Sequence, residues 1–410
     1  MAAADHEATA TAARQRAPLD SVRVLDLTQV VAGPYCSLML ADMGAEVVKV
    51  ERPGHGDDLR RTVPYRGRES HHDYFNALNR SKKGVALDLK DAAHRALALE
   101  LAGRADVMVE NFAPGTAHRL GLGWEDVRGG NPRQVYCSLS GFGQTGPYRN
   151  RLALDPIIQA VTGLMSVTGE QGREPVMVGA PLADVIAGMF AAYAIVAALH
   201  AAKRDGHGQY IDVSMQDAML AALGTRMGET LQAGISPGRL GNENPLRVPA
   251  NTYPTADGAW LDVMVYSEAQ WPAFCRALER EQWIDDARFR TMALRVQHRA
   301  AVNDCVAQRM AERPAEHWIA RFDAERIPCA PVKDYAQALD DPQVRHRGLV
   351  REVEHPHSGT IRVVGPPWRM SATRTEIGPP PLLGQHTAEV LRDWLGMSES
   401  EIAAVVPPPR

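Results

Sequence analysis

The sequence predicts an α/β protein with a parallel sheet in a large domain and a second, smaller domain. Three observations carry this. At 410 residues the chain exceeds what one hydrophobic core usually holds. Apolar runs of strand length, VRVLDL, AEVVKVE, GVALDL, DVMVEN and QVYCSLS, alternate with helical patterns such as SLMLADMG and HRALALELAGR, and that alternation builds βαβ units. Near Asp217 the pattern changes to mostly helical sequence.

Taken in order, the opening residues MAAADHEATATAARQRAPLD are Ala-rich and polar, with Asp5 and Glu7 near the start and no apolar core. They read as an extension, not as a signal or transit peptide. The five strands and their helices follow. The stretch GAPLADVIAGMFAAYAIVAALHAA then sets Asp184 ahead of a long run without formal charge. Length alone would allow a bilayer span, but the run is rich in Ala, flanked by Asp184 and Lys203-Arg204 and broken by His200, so a buried helix is expected. Beyond Asp217 comes helical sequence, then a hairpin YPTADGAWLDVMV turning at Asp257-Gly258, then helices to about Asp334. GTIRVVGPP is strand-like, PPPLLGQ extended and TAEVLRDWL a short helix. Residues 20–225 with 345–410 are expected to form the large domain and 226–344 the small α+β domain. There is no internal repeat and no low-complexity linker.

Lys+Arg 45 against Asp+Glu 49, with 45% hydrophobic residues, points away from nucleic-acid binding and from a polybasic membrane contact. An anionic ligand must therefore be met by local cations. Cys36, Cys137, Cys275, Cys305 and Cys329 are scattered without CxxC spacing, which fits a reducing compartment, the cytoplasm, and neither a disulfide framework nor a zinc site. His71-His72-Asp73 and His355-Pro356-His357 lack metal-ligand spacing and read as loop histidines, so no metal is expected.

Two motifs leave alternatives open. GFGQTG (Gly141 to Gly146) satisfies GxGxxG after an apolar run, which raises a dinucleotide-dependent oxidoreductase. PYRNR follows it in place of an Ala-rich helix, and no acid closes a second strand at the usual distance, so a glycine-rich turn is the plainer reading. Asp184 also reads two ways. As an N-cap it would accept a backbone N–H, worth about 1 kcal/mol, and the helix dipole would favour its charge. As a carboxylate screened from water it could attack an activated acyl group.

LDLTQVVAGP, VVKVERPGHGDD, VMVENFAPG, GFGQTGPY, GAPLADVIAG and GQYIDVSMQDA, in that order along the chain, resemble the class III CoA-transferase family, which includes formyl-CoA and carnitine CoA-transferases and the α-methylacyl-CoA racemases. The resemblance runs from about Val22 to Leu391. It implies that Asp184 is the nucleophile, with capping as a compatible second duty, and that transfer passes through an aspartyl anhydride and an aspartyl-CoA thioester. It further implies CoA contacts by Arg52, Lys90 and Arg119 on phosphates or adenine, by Asn111 and Phe112 on pantetheine, and by Val30, Ala32, Leu87 and Leu89 as apolar lining. CoA is then a substrate, and no permanently bound cofactor is implied. The implied architecture is a Rossmann-like large domain within an interlocked homodimer.

Departures from the family pattern bear on the activity. Racemases carry a His where this chain has Leu154, and leucine cannot move a proton. Formyl-CoA transferases carry a Gln at the place of Val31 and a glycine run over the site, for which Gly238 and Gly241 are the nearest substitutes here. HRGLVREVEHPHSGTIRVVGP and PPPLLGQHT resemble the branch containing succinate-hydroxymethylglutarate CoA-transferase, which implies an acyl-CoA donor and a dicarboxylic acid acceptor such as succinate. Arg80, in FNALNRSKKG, is the expected partner of the acceptor's distal carboxylate. A racemase-like enzyme and a non-catalytic CoA-binding protein stand as alternatives.

Overall fold

The computed structural model describes residues 16–62, 73–373 and 376–405. The expectations on residues 1–15 and on His71-His72 lie outside these. The chain divides into two compact units. The first holds residues up to Thr162, Gly179–Arg226 and Arg347 onward; the second holds Gly163–Val178 and Met227–His346. The division differs from the expected one chiefly at Gly163–Val178. Hydrogen bonds from Gly241 N to Gly169 O (2.8 Å) and from Arg239 Nη2 to Arg173 O (2.6 Å) tie that segment to the second unit.

The first unit is organised by a sheet of six parallel strands in the order β3-β2-β1-β4-β5-β6. The strands are β1 (Arg23–Asp26), β2 (Glu46–Glu51), β3 (Lys82–Ala86), β4 (Val107–Glu110), β5 (Val135–Ser140) and β6 (Tyr210–Ser214). The first five are the predicted apolar runs; β5 is buried at every position, as a strand covered on both faces must be. β6 is the strand missing from the sequence reading. It lies at the sheet edge and only Ser214 of it is buried, so Tyr-Ile-Asp-Val-Ser carries no continuous apolar signal.

Helices fill the crossovers: α1 (Ala32–Asp42), α2 (Asp73–Asn79), α3 (Ala92–Arg104), α4 (Thr116–Arg119), α5 (Trp124–Val127), α6 (Asp155–Val161), then α7 (Leu164–Val167) in the second unit, and α8 (Leu182–Asp205) with α9 (Met215–Ala222) back in the first. One core joins Leu25, Val48, Val85, Leu101, Met108 and Tyr136 to Val390, Leu391 and Trp394 of the Thr387–Leu395 helix. The chain's last segment therefore completes the core begun by its first strands. The antiparallel hairpin β10 (Val350–His355) and β11 (Gly359–Val364) belongs to this unit too. His355 ends β10 buried, and its Nδ1 accepts from Ser358 N at 3.0 Å, so it shapes the hairpin turn and is not a loop histidine.

The second unit carries an antiparallel sheet of β7 (Ala250–Pro254), β8 (Trp260–Met264) and β9 (Cys329–Pro331). The β7–β8 hairpin turns at the predicted place, with Gly258 at φ +79°. Helices cover the sheet through Trp271, Phe274, Trp318 and Phe322, which form an aromatic core.

α8 is long and apolar enough to cross a bilayer by length and composition, with 39% of its apolar window buried. It packs against α1, α6, α9, β5 and β6. It meets α1 closely at Gly188, where a Cβ would sit 2.6 Å from Ala32 O and 3.2 Å from Cys36 N. A backbone carbonyl cannot yield cheaply. Gly188→Ala is therefore expected to push the two helices apart and to cost about 1–3 kcal/mol, seen as a lowered denaturation midpoint. An unchanged midpoint would show that the helices are not in van der Waals contact there.

Candidate active site

In an open parallel sheet, ligands bind outside the carboxyl ends of the strands, where the strand order reverses. Here that point lies between β1 and β4. Two buried carboxylates end these strands, Asp26 and Glu110. Asp26 accepts from Thr28 N (2.8 Å), Thr28 Oγ1 (2.5 Å) and Ser37 Oγ (2.5 Å) and pairs with Lys82 Nζ (3.2 Å). Burial opposes its charge, but Lys82, Lys49 and the two hydroxyls outweigh it and hold the carboxyl below its usual range. Lys49 Nζ donates to Thr28 O (2.7 Å) and pairs with Asp57 (2.9 Å), and Asp57 accepts from Val30 N at 3.2 Å. These bonds bend the β1–α1 loop so tightly that Val30 takes φ +66°, a conformation costly for a β-branched residue.

The residues implied to meet CoA fall along this edge. Val30 and Ala32 follow β1, Arg52 follows β2, Leu87, Leu89 and Lys90 follow β3, and Asn111 and Phe112 follow β4, on four adjacent strands. Arg119 ends α4. The side-chain amide of Asn111 bonds both backbone groups of Gln29, at 2.9 and 2.8 Å, and so staples the β4 loop to the β1 loop across the switch point. Arg52, Lys90 and Arg119 are exposed, the arrangement an anionic ligand needs on a nearly neutral protein. Leu87 departs from its expected role: it is 1% exposed and part of the core, so it supports the half-buried Leu89 and Phe112 and lines no open surface. Glu110 accepts from Phe112 N at 2.8 Å and from the Ser138 hydroxyl, and burial pushes its carboxyl up to about 7.

Asp184 stands in the first turn of α8, half-buried, with the N–H of Ala32 at the start of α1 near enough to favour the charged form of its carboxyl. Burial and then the charge of Asp155 raise it to about 7, against the pull of that N–H. The capping duty expected of Asp184 is not there. The N-cap is Pro181, with no side-chain cap bond, and the N–H groups of Ala183 and Asp184 are taken by Asp155 Oδ1 at 2.7 and 3.3 Å. Asp155 is missing from the sequence reading; the Asp-Pro pair that opens α6 is the signal that could have found it. Leu154 itself is 66% exposed beside it.

Arg80 requires the plainest correction. It is 4% exposed and ion-paired with Asp42, the last residue of α1. Ala32, which meets Asp184, opens the same helix, and at 1.5 Å per residue the two ends are about 15 Å apart. A small dicarboxylate joined to Asp184 cannot span that distance, and the guanidinium is already committed.

The GFGQTG segment is a turn after β5 and opens no helix. Gly143 at φ +86° directs its N–H to Ser140 Oγ (3.1 Å), and Gln144 N donates to Asp212 Oδ2 (2.9 Å). The phosphate-binding turn of a dinucleotide fold follows the first strand, and that loop here is Leu27–Val31, without glycine. Among the described residues no group of three or more His, Cys, Asp or Glu is placed to hold a metal ion.

The model of CoA-transferase family III matches residues 19–387. Succinyl-CoA:glutarate CoA-transferase of Mus musculus is 39% identical over 94% of this chain and 88% of its own length. Succinate–glutarate CoA-transferase of Agrobacterium fabrum is 37% identical over 92% of this chain and 96% of its own. A CaiB/BaiF family protein from Brucella suis, 33% identical, superposes with TM-score 0.84 over 93% of this chain and all of its own. With the family match covering both units and nearly the whole site edge, the chain belongs to CoA-transferase family III, and coenzyme A is a substrate of that family.

Proposed function

We propose that the protein moves CoA from succinyl-CoA, or a related acyl-CoA, to a dicarboxylic acid such as glutarate, with Asp184 as nucleophile. The observation that carries the mechanism is the Asp184 carboxyl, half-buried at the start of α8 and lifted to about 7 by burial and the charge of Asp155. The substrate class rests on the activities named for the relatives from mouse and Agrobacterium.

The steps balance without water or net proton transfer. One Asp184 oxygen attacks the thioester carbonyl, the C–S bond breaks, and CoA leaves as thiolate with a mixed anhydride on the enzyme. The thiolate attacks the aspartyl carbonyl and expels the donor acid, leaving an aspartyl-CoA thioester. The acceptor carboxylate displaces the thiolate to form a second anhydride, and the thiolate then attacks the acceptor's carbonyl and frees Asp184. Each intermediate keeps the energy of the thioester. The Ala32 N–H lies where it could also stabilise charge developing on the aspartyl oxygens.

Leu154 and Val31 supply neither a base nor an amide near the nucleophile, which favours transfer over epimerisation and separates this chain from formyl-CoA transferases. A homodimer is part of the proposal. Met189, Phe190 and Tyr193 on α8, with Leu152, Ile157 and Val161, leave a large apolar surface exposed, and such a surface marks a partner. The five free cysteines suit a reducing cytoplasm.

Asp184→Asn is expected to abolish transfer while leaving CoA-ester affinity within about twofold of wild type, because the amide keeps the shape but cannot form the anhydride. Trapping with hydroxylamine and peptide mass spectrometry should place a hydroxamate on Asp184 in the wild type; turnover by the Asn variant would refute the mechanism.

The pH profile follows from the raised carboxyl. Only the ionised form attacks, so kcat/KM for transfer should rise with pH and be half-maximal near pH 7, where Asp184 titrates. A flat profile from pH 5 to 8 would contradict this. Finally, 2-methylacyl-CoA esters in deuterated buffer should show no α-proton exchange at rates comparable to transfer, and rapid exchange would restore the racemase reading.

A further inference from the structure

α8 begins without a cap of its own, and the carboxylate that supplies one comes from another helix. Asp155 opens α6, is 8% exposed, and is followed by Pro156, which fixes the helix start. Its Oδ1 accepts from Ala183 N and Asp184 N, and its Oδ2 accepts from Gln159 Nε2 at 2.6 Å, one turn further along α6. All of these bonds hold the carboxylate in one orientation against the first turn of α8. From this geometry we infer that Asp155 is a positioning residue for Asp184, seating the backbone of the nucleophile and setting the charge that its carboxyl faces. The inference rests on Asp184 being the nucleophile.

The N-terminus of a helix as long as α8 carries about half a positive charge, which by itself would stabilise an ionised Asp184 and make it a weaker nucleophile. Asp155 places a full negative charge on those same N–H groups and offsets the dipole where the nucleophile sits. The elements packed against α8 also carry Tyr35, Cys36, Asp42, Tyr136, Cys137, Tyr210, Asp212 and Asp217. None of these contributes to the rise of Asp184; besides burial, only the Asp155 charge does.

Asp155→Asn separates the two effects. Asparagine keeps an acceptor oxygen for Ala183 N and loses the charge, and Gln159 can turn its amide to present oxygen to the new NH2. The measurement is single-turnover labelling of Asp184 by succinyl-CoA, trapped with hydroxylamine, as a function of pH, with the CoA-ester Kd as control. The variant should keep its affinity, its labelling midpoint should move down by roughly one pH unit, and its plateau rate should fall severalfold. Asp155→Glu, which keeps the charge but moves it, should shift the midpoint less than Asp155→Asn and lower the rate. Gln159→Met, which removes one bond from Asp155 and leaves both carboxylates, should shift the midpoint in the same direction as Asn by less, and it carries the test if Asp155→Asn does not fold. An unmoved midpoint in both Asp155→Asn and Gln159→Met would overturn the inference. Absence of label on Asp184 in the wild type is a different result and would overturn the nucleophile itself, taking the role of Asp155 with it.

Discussion

The carboxyl edge of the sheet depends on a charge kept where water does not reach it, that of Asp26. Ionised, it draws in two hydroxyls, one backbone N–H and the ammonium of Lys82. Lys82 is itself pushed down to about 8 by burial, so the pair is held at a real desolvation cost, and losing one partner would strand the other at about 3–5 kcal/mol. What this cost secures is the path of the chain. Thr28, fixed by Asp26, offers its carbonyl to Lys49; Lys49 holds Asp57; Asp57 holds Val30 N in its left-handed turn. Ala32 then starts α1 with its N–H facing Asp184.

The nucleophile is tuned by two opposed demands. A carboxylate in water is well solvated and unreactive, and one buried alone would be neutral and equally unreactive. At about 7, Asp184 lies between these limits. Burial and Asp155 push it up, and a single N–H from α1 limits the rise. Bringing two carboxylates together is offset locally by the bonds Asp155 accepts from Ala183 N, Asp184 N and Gln159, and α8 meets α1 closely at Gly188, where a Cβ would sit 2.6 Å from Ala32 O. That close approach also brings Ala32 near Asp184.

How much of this was legible in the sequence depended on what each signal measured. Strands β1 to β5 were visible because most of their residues are buried and each contributes to an apolar run; β6 was missed because it alternates, with only Ser214 buried, whereas β3 at the other edge keeps a buried Gly84-Val85 that continues into Leu87. Asp184 was visible as an isolated acid at the head of an uncharged run, but its cap was not, because the capping oxygen comes from 29 residues away in sequence. The exposed Arg52 and Lys90 share the carboxyl edge because loops after parallel strands emerge together, while Arg119 lies at the end of α4. Leu87 and Arg80 misled for one shared reason: a linear pattern gives position along the chain and says nothing of which side chains the core has already claimed.

Arg80 shows what was claimed and why. α1 presents Ala32 at one end, Ser37 midway and Asp42 at the other, and each meets a buried charged group: Asp184, Asp26 and Arg80 in turn. A helix tied at three levels cannot slide along its axis without breaking an ion pair, and a nucleophile's donor needs that fixity more than it needs strength. The Arg80–Asp42 pair is poorly completed for a stability device. Asp42 Oδ1 and Arg80 Nε have no hydrogen-bond partner, and burial lifts the Asp42 carboxyl to about 6. A pair retained at that cost is better explained by register than by stability: it sets where α1 ends, and through the rigid helix, where Ala32 begins.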